Sequence, residues 1–172
     1  MSMIPPPIET EGTPVSTAAD DATEPLPASC QDGFVWVVHA RMTDDSTANQ
    51  YLGIAHDGSA AETIQIRTQA NGTLRFEGRS GSVNIFGIVT SAFTTGQDLK
   101  IAMRAQGGKY AISVNGGAVT TDSTPSFPSG MTTKSIGANW DGNFVWNSTI
   151  ALDYLDPDPS AWTDADLQAA TS

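Results

Sequence analysis

The sequence predicts an all-β fold in which two antiparallel sheets pack face to face as a jelly-roll sandwich, closed by one short C-terminal helix. Three observations predict it. Short segments alternate apolar and polar residues from Phe34 onward, turn pairs such as Asn71-Gly72 separate them, and a helical pattern appears only at the C-terminus. Each strand of this kind buries one face, and two packed sheets bury all of those faces together.

The 172 residues suit one domain, and we divide them into an extended arm, residues 1–28, and a sandwich, residues 29–172. Six of the ten prolines lie in the arm. Because proline fixes φ and lacks a backbone donor, a helix or a central strand is excluded there. The arm is either a free terminus or a strap that docks on a neighbouring subunit of an assembly.

The first strand pattern runs from Phe34 to Met42. Its even positions, including Trp36, are apolar and are predicted to face the core, whereas His39 and Arg41 fall on the other face. The same alternation predicts further strands, with Ile64, Ile66, Leu74 and Phe76 facing inward. These strands cover residues 51–56, 63–67, 73–77, 82–89, 99–103, 110–114 and 145–154.

Turn and capping residues punctuate this pattern. Asp57-Gly58 and Asn71-Gly72 predict hairpins because Asn or Asp followed by Gly tolerates positive φ, and Gly107-Gly108 predicts another. The only helix is predicted over residues 163–170, with Thr163 as its N-cap and two aspartates in its first turn.

Charge and composition exclude several classes of function. The net charge is −11; the acidic excess lies in residues 1–28 and 141–172, which hold no Lys or Arg, while residues 29–140 are neutral. Nucleic acid is an unexpected partner because no basic patch is present. The longest apolar run, Phe34 to Val38, is too short for a membrane helix, and no signal-peptide pattern opens the chain. One cysteine, Cys30, and two histidines exclude a disulfide scaffold and the usual structural zinc site.

Four segments carry a family resemblance, in order along the chain. They are STAADDATEPLP (16–27), KYAISVNG (109–116), SIGAN (135–139), and WNSTIALDY (146–154) followed by WTDADLQAAT (162–171). Together they resemble the concanavalin A-like and laminin-G-like jelly-roll domains of phage tail and other virion proteins. Ser148 departs from the glycine common there. The resemblance implies a lectin-like sandwich but no particular activity, since this fold hosts sugar binders, hydrolases and structural modules.

We predict that the chain is not an enzyme. A glycosidase needs a pair of carboxylates across the scissile bond, and Glu62 and Glu77 are not spaced for one. Neither His39 nor His56 has a nearby Ser or Cys in a nucleophile elbow. Three clustered aspartates are interrupted by prolines and are interpreted as capping or solvated groups: Asp153, Asp156 and Asp158. The hydrolase alternative would rest on Asp153, Glu62 or Glu77.

A glycan site needs an aromatic platform beside amide or carboxylate groups. Trp140 lies in a polar loop among such groups, and the competing interpretation is that it folds back over the rim of the sandwich. Residues beside a hairpin form a second candidate edge. The candidate glycan-binding residues are therefore Asn139, Trp140, Asp141, Asn143, Tyr51, His56 and Asp57.

No cofactor and no metal is expected. Calcium is the weaker alternative, because it needs several loop oxygens, which Asp44-Asp45, Asp57, Asp141 and Asn143 would offer.

The order of arm, sandwich and absent leader predicts a phage virion structural protein: a capsid decoration, head-fibre or tail-associated protein assembled in the host cytoplasm. The arm would bind other virion proteins, the chain would form a homo-oligomer, and the lectin-like domain would touch host polysaccharide. The alternative is a stand-alone carbohydrate-binding module without an assembly role.

Overall fold

The computed structural model describes residues 22–42, 46, 48–144, 146 and 150–172. Within them lie eleven strands, one helix and two 3₁₀ turns. The strands are β1 (Ala22–Pro25), β2 (Phe34–Arg41), β3 (Tyr51–His56), β4 (Thr63–Thr68), β5 (Thr73–Ser80), β6 (Val83–Ala92), β7 (Asp98–Ala105), β8 (Tyr110–Val114), β9 (Thr120–Asp122), β10 (Thr133–Ile136) and β11 (Ile150–Asp156). The helix is α1 (Asp164–Ala169), and the 3₁₀ turns are Ala28–Cys30 and Pro159–Ala161.

The strands form two antiparallel sheets, as predicted. One sheet has the order β1-β10-β3-β4-β5-β6 and the other has the order β11-β2-β7-β8-β9. A single large cluster of buried side chains fills the space between them. The jelly-roll sandwich with one short C-terminal helix is therefore confirmed.

The alternation of β2 places its residues as predicted. Phe34, Trp36 and Val38 are at most 1% exposed and belong to the core between the sheets. Val35 and Val37, on the opposite face, are also fully buried, because α1 and Trp162 cover that face. In a strand that is buried on both faces, the odd and even positions differ less in hydrophobicity.

The predicted hairpins are present, with longer loops than two residues. Residues 69–72 join β4 to β5, and Gly72 adopts a φ of 74° there. The loop after β3 spans residues 57–62, because the carboxylate of Asp57 accepts hydrogen bonds from both the amide and the hydroxyl of Ser59 and so builds a local turn. The hairpin at Gly107-Gly108 joins β7 to β8, also as predicted.

The C-terminal helix begins where the sequence predicts. Thr163 accepts a hydrogen bond from the amide of Asp166, and the carboxylate of Asp166 accepts one from the amide of Thr163, which completes a capping box. Leu167 is fully buried against the outer face of the five-stranded sheet. In the part of the chain that the structure describes, no helix is long and apolar enough to cross a membrane.

Three short strands were not predicted from alternation. β1 lies inside the predicted arm, residues 1–28, and β9 and β10 have few apolar residues. The rest of the arm, residues 1–21, lies outside the described residues, as do residues 145 and 147–149 of the predicted late strand.

An ion pair joins the two sheets near one end of each. Lys134 on β10 lies 2.5 Å from a carboxylate oxygen of Asp153 on β11, and its side chain is 7% exposed. The indole nitrogen of Trp36 donates to the other oxygen of Asp153 at 2.6 Å. The interpretation of Asp153 as a capping or solvated group is therefore wrong, whereas Asp158 does cap the 3₁₀ turn at Ser160.

Candidate functional site

A polar pocket of about 240 Å³ opens on the face of the six-stranded sheet that points away from the core. Strands β3 to β6 and two loops, one before β3 and one between β10 and β11, contribute to it. Its lining consists of Asn49, Tyr51, Gln65, Arg67, Glu77, Arg79, Asn84 and Phe144.

The hairpin of β4 and β5 determines which side chains meet in this pocket. The apolar residues of both strands point to the core, so the polar residues between them point outward. Across the hairpin Gln65 is opposite Glu77, and Arg67 is opposite Arg75. Three of the eight basic residues of the chain are thereby brought onto one outer face, and these are Arg67, Arg75 and Arg79.

Glu77 is the centre of this polar face. Its carboxylate is 3% exposed and accepts hydrogen bonds from Gln65 and Arg67, both at 2.8 Å, and from Arg75 at 2.5 Å. Burial alone would raise the pKa of Glu77, but the hydrogen bond from Gln65 and the two guanidinium groups hold that pKa below its ordinary value of 4.5. Glu77 is therefore ionised and fixes the position of both arginines.

The pocket keeps an excess of positive charge after this pairing. The carboxylate of Glu77 pairs with Arg67 and Arg75, and the guanidinium group of Arg79 also lines the pocket. The other carboxylate that acts on this site is that of Asp141, which, after burial and Glu77, raises the pKa of Tyr51. Arg67 also donates to the side-chain oxygen of Asn49, at 2.6 Å. No described residue accepts from the buried Nε of Arg79 or forms an ion pair with it. In a chain with a net charge of −11, this surface is suited to an anion.

Two aromatic rings form one side of the pocket. The rings of Tyr51 and Phe144 have centroids 6.3 Å apart, and the amide of Tyr51 donates to the carbonyl of Phe144 at 3.0 Å. Phe144 has a positive φ of 55° and is 56% exposed. Burial raises the pKa of Tyr51, so its hydroxyl stays protonated. A half-buried and an exposed aromatic ring beside polar groups are a combination on which sugar rings stack.

The loop with Trp140 lies next to this pocket but does not line it. Asn139 and Asp141 use side-chain oxygens within the loop, accepting from the amides of Trp140 at 2.7 Å and Asn143 at 3.1 Å. The amide of Asn139 donates to the carbonyl of Asn143 at 2.9 Å, just before Phe144. Trp140 is 37% exposed. The role of residues 139–143 in binding stays a prediction.

The second candidate edge is split between the two ends of β3. Tyr51 begins the strand and lines the pocket, whereas His56 ends it, roughly 17 Å away for a strand of this length. His56 is 3% exposed; one ring nitrogen bonds the hydroxyl of Ser135 at 3.1 Å and the other accepts from the amide of Gly58 at 3.0 Å. Together with the turn built by Asp57, these contacts stabilise the loop after β3.

Of the residues that line the pocket, Tyr51 alone was predicted from the sequence to bind a glycan. The hairpin register is the signal that could have found the others. When β4 pairs with β5 around Asn71-Gly72, Gln65 lies opposite Glu77 and Arg67 lies opposite Arg75. Phe144 gave no such signal, because it reaches the pocket through a loop and not through a strand.

Other acidic groups have structural partners. The carboxylate of Glu62 accepts from the amides of Gly81 at 2.6 Å and Ser129 at 3.0 Å. No group of three or more His, Cys, Asp or Glu able to hold a metal occurs among the described residues, and Asp44-Asp45 lies outside them. The expectation of no cofactor and no metal, with calcium as the weaker alternative, stays a prediction, as does the absence of enzymatic activity.

The lowered pKa of Glu77 predicts that the folded protein loses stability at acidic pH. Its lowered pKa means that the folded chain binds this proton less readily than the unfolded chain does, so the stability it contributes is present above about pH 4.5 and is lost as the pH falls through the folded-state value. We expect urea unfolding to show this loss, and the Glu77→Gln variant to lack that part of the pH dependence. An identical dependence in both proteins would contradict the assignment.

Comparison with known proteins gives similarity of fold alone. The sequence matches no protein-family model and no curated protein. The CBM40 of a Ruminococcus gnavus IT-sialidase, solved with α2,6-sialyllactose, is 14% identical with a TM-score of 0.71, over 93% of this chain and 97% of that one. Human galectin-16 is 11% identical with a TM-score of 0.58, over 83% and 99%. Domains LG4-5 of mouse laminin α1 are 14% identical with a TM-score of 0.59, over 90% and 48%. The concanavalin A-like, laminin-G-like fold is confirmed.

Proposed function

We propose that this chain is a carbohydrate-binding domain that holds an acidic glycan in the pocket between Arg67, Arg79 and Phe144. The excess of guanidinium groups at that pocket is the observation that carries the proposal, because the net charge of the chain as a whole, −11, repels an anion. A guanidinium group presents two parallel donors to a carboxylate, which matches a sugar acid better than a neutral sugar.

The remaining lining suits the body of a sugar. The rings of Tyr51 and Phe144 offer an apolar surface for the C–H face, and Asn49 and Asn84 offer amide groups for hydroxyls. The R. gnavus domain of similar fold was solved with sialyllactose, a glycan whose sialic acid carries a carboxylate. That likeness supports the choice of an acidic sugar without identifying it.

Of the two roles predicted from sequence, this proposal supports the stand-alone binding module. The pocket is formed within one chain, so glycan binding needs no assembly. A virion role, with the arm bound to other virion proteins, stays a prediction of the sequence resemblance.

A glycan screen of the purified protein tests the proposal. Each acidic glycan is paired with its neutral counterpart, such as sialyllactose with lactose or a uronic-acid polysaccharide with its carboxyl-reduced form, and each pair is measured with calcium and with a chelator. We expect binding of acidic members only. Equal binding of both members, or no binding to any acidic glycan by the folded protein, would overturn the proposal.

Two aromatic variants then locate the site. We expect Phe144→Ala to weaken binding of the acidic glycan by about fivefold, since a lost aromatic contact is worth about 1 kcal/mol. Trp140→Ala, the matched exposed aromatic of the neighbouring loop, should leave the affinity unchanged, because Trp140 does not line the pocket. The reverse result, measured by calorimetry, would move the site to residues 139–143.

A further inference from the structure

Arg75 is the arginine of this outer face that does not line the proposed glycan pocket. It lies on β5 directly opposite Arg67 on β4. Like charges at directly opposite positions destabilise a sheet, so the pair needs a group of opposite charge close by. Glu77, on the same face of β5, is that group, because its carboxylate accepts from the Nε of both guanidinium groups. Arg75 is thereby joined to the pocket without being part of it.

The carboxylate of Glu77 transmits the position of one arginine to the other. Its Oε1 accepts from Gln65 and Arg67, both at 2.8 Å, and its Oε2 accepts from Arg75 at 2.5 Å. A carboxylate is planar, so the bond to Oε2 fixes the plane in which Oε1 lies. The two bonds to Oε1 leave that plane free to turn about this oxygen, and Arg75 stops the rotation.

Arg67 reaches the pocket already fixed at two points. Its Nε donates to Glu77, and its Nη1 donates to the side-chain oxygen of Asn49 at 2.6 Å. The other N–H groups of its guanidinium are therefore oriented before a ligand arrives. A side chain that is already ordered loses less conformational freedom on binding, which raises the affinity.

Gly87 on β6 provides the space in which the guanidinium of Arg75 lies. It is the register partner of Glu77 across β5 and β6. A Cβ at this position would lie 2.9 Å from Nη2 of Arg75 and 3.4 Å from its Cζ. The backbone of Gly87 has no positive φ, so alanine fits its conformation and only the end of the Arg75 side chain opposes it.

We propose that Arg75 is a positioning residue of the glycan site: it holds Glu77, and through Glu77 it holds Arg67 in the orientation that meets the anion. This role rests on the proposed function, and it adds to the site a residue outside the pocket that sets the affinity. Gly87 is the second part of the arrangement, because a larger residue there would displace Arg75.

Gly87→Ala in the full chain displaces the guanidinium of Arg75 and keeps every charge in place. We expect calorimetry to show about three- to tenfold weaker binding of the acidic glycan, the effect of losing one ordered side chain. Arg75→Met should weaken binding at least as much. In the Arg75→Met background Gly87→Ala should have no further effect, because changes that act through one contact are not additive. Ser91→Thr adds the same methyl group at another exposed position of β6 and should leave the affinity unchanged.

A measurement without glycan reports on the same contact. Burial raises the pKa of Glu77, and its hydrogen-bond donors, Arg75 among them, hold that pKa below its ordinary value. Displacing or removing Arg75 should therefore raise the pKa of Glu77, measured by NMR of its carboxyl carbon, and should move the Nε–H signal of Arg67. The other charged or titratable groups beside Glu77, Arg79 of β5 and Tyr51 of β3, are unaltered in these variants, and β6 has no charged residue.

An unchanged Glu77 titration and an unchanged Arg67 signal in both variants would overturn the positioning role, as would an additive loss of affinity in the double variant. A raised pKa with an unchanged affinity would also overturn it, since Arg75 would then hold Glu77 without affecting the site. If the folded, unaltered protein binds no acidic glycan, the proposed function fails, and the NMR signals still decide whether Arg75 holds Glu77 and Arg67 in place.

Discussion

Replacing Arg79 with methionine is expected to weaken binding of an acidic glycan by about ten- to a hundredfold. The guanidinium group lines the pocket, and no described residue pairs with its charge, so a ligand carboxylate would be its partner. A hydrogen bond to a charged group contributes about 1.5–3 kcal/mol, and each 1.4 kcal/mol is a factor of about ten in affinity. Methionine keeps most of the aliphatic contact, and calorimetry with the acidic and neutral members of one glycan pair measures the loss.

Two further variants separate the geometry of Arg79 from its charge. Arg79→Lys keeps the charge without the two parallel donors, so we expect an affinity between those of the unaltered protein and Arg79→Met. Arg41→Met removes the same charge from an exposed position of the other sheet, where Arg41 faces Asp98, and should leave the affinity unchanged. If Arg41→Met and Arg79→Met lower the affinity equally, the effect of Arg79 is long-range electrostatic attraction alone. If Arg79→Met leaves the affinity unchanged, Arg79 does not contact the ligand.

The core could be predicted because burial repeats along a strand. Phe34, Trp36 and Val38 alternate on one face, and the same alternation gives Ile64 and Ile66 without knowledge of the partner strand. The N-cap of the helix could be predicted for the same reason, since Thr163 forms its capping hydrogen bonds within one turn. Both predictions depend only on residues near in sequence.

The pocket could not be predicted in the same way because it depends on pairing. Arg67 and Glu77 are ten residues apart, and only the β4–β5 register brings them together. Phe144 joins them through a loop whose backbone turns at a positive φ, a conformation that its sequence does not indicate. The sequence of that loop points instead to Trp140, whose role in binding stays a prediction.

A charged residue inside the sandwich is the other feature that alternation could not predict. Lys134 occupies an inward position of β10, opposite Ala55, where an apolar side chain would be expected. Its partner Asp153 lies on the other sheet, 19 residues away. A lone lysine in a short strand predicts an exposed position, and only the packing of the two sheets supplies the second charge.

Replacing Lys134 with methionine is expected to lower the free energy of unfolding by about 3–5 kcal/mol, since removal of one member of a buried ion pair leaves the other without compensation. Asp153 is 16% exposed, and without Lys134 the indole of Trp36 is the one donor that the described residues leave to it. The exposed carboxylate of Glu24, which also contacts Lys134 at 2.5 Å, can return to water and should contribute little. Urea unfolding followed by tryptophan fluorescence measures the change.

The double variant Lys134→Met with Asp153→Asn should recover most of that loss, because the asparagine is neutral and its oxygen can still accept from Trp36. Lys109→Met is the matched control, since Lys109 is an exposed lysine in the turn between β7 and β8, and it should change stability little. If Lys134→Met is no more destabilising than Lys109→Met, the ion pair does not hold the sheets together. If the double variant is as unstable as Lys134→Met alone, the loss comes from packing around Lys134 and not from the charge left on Asp153.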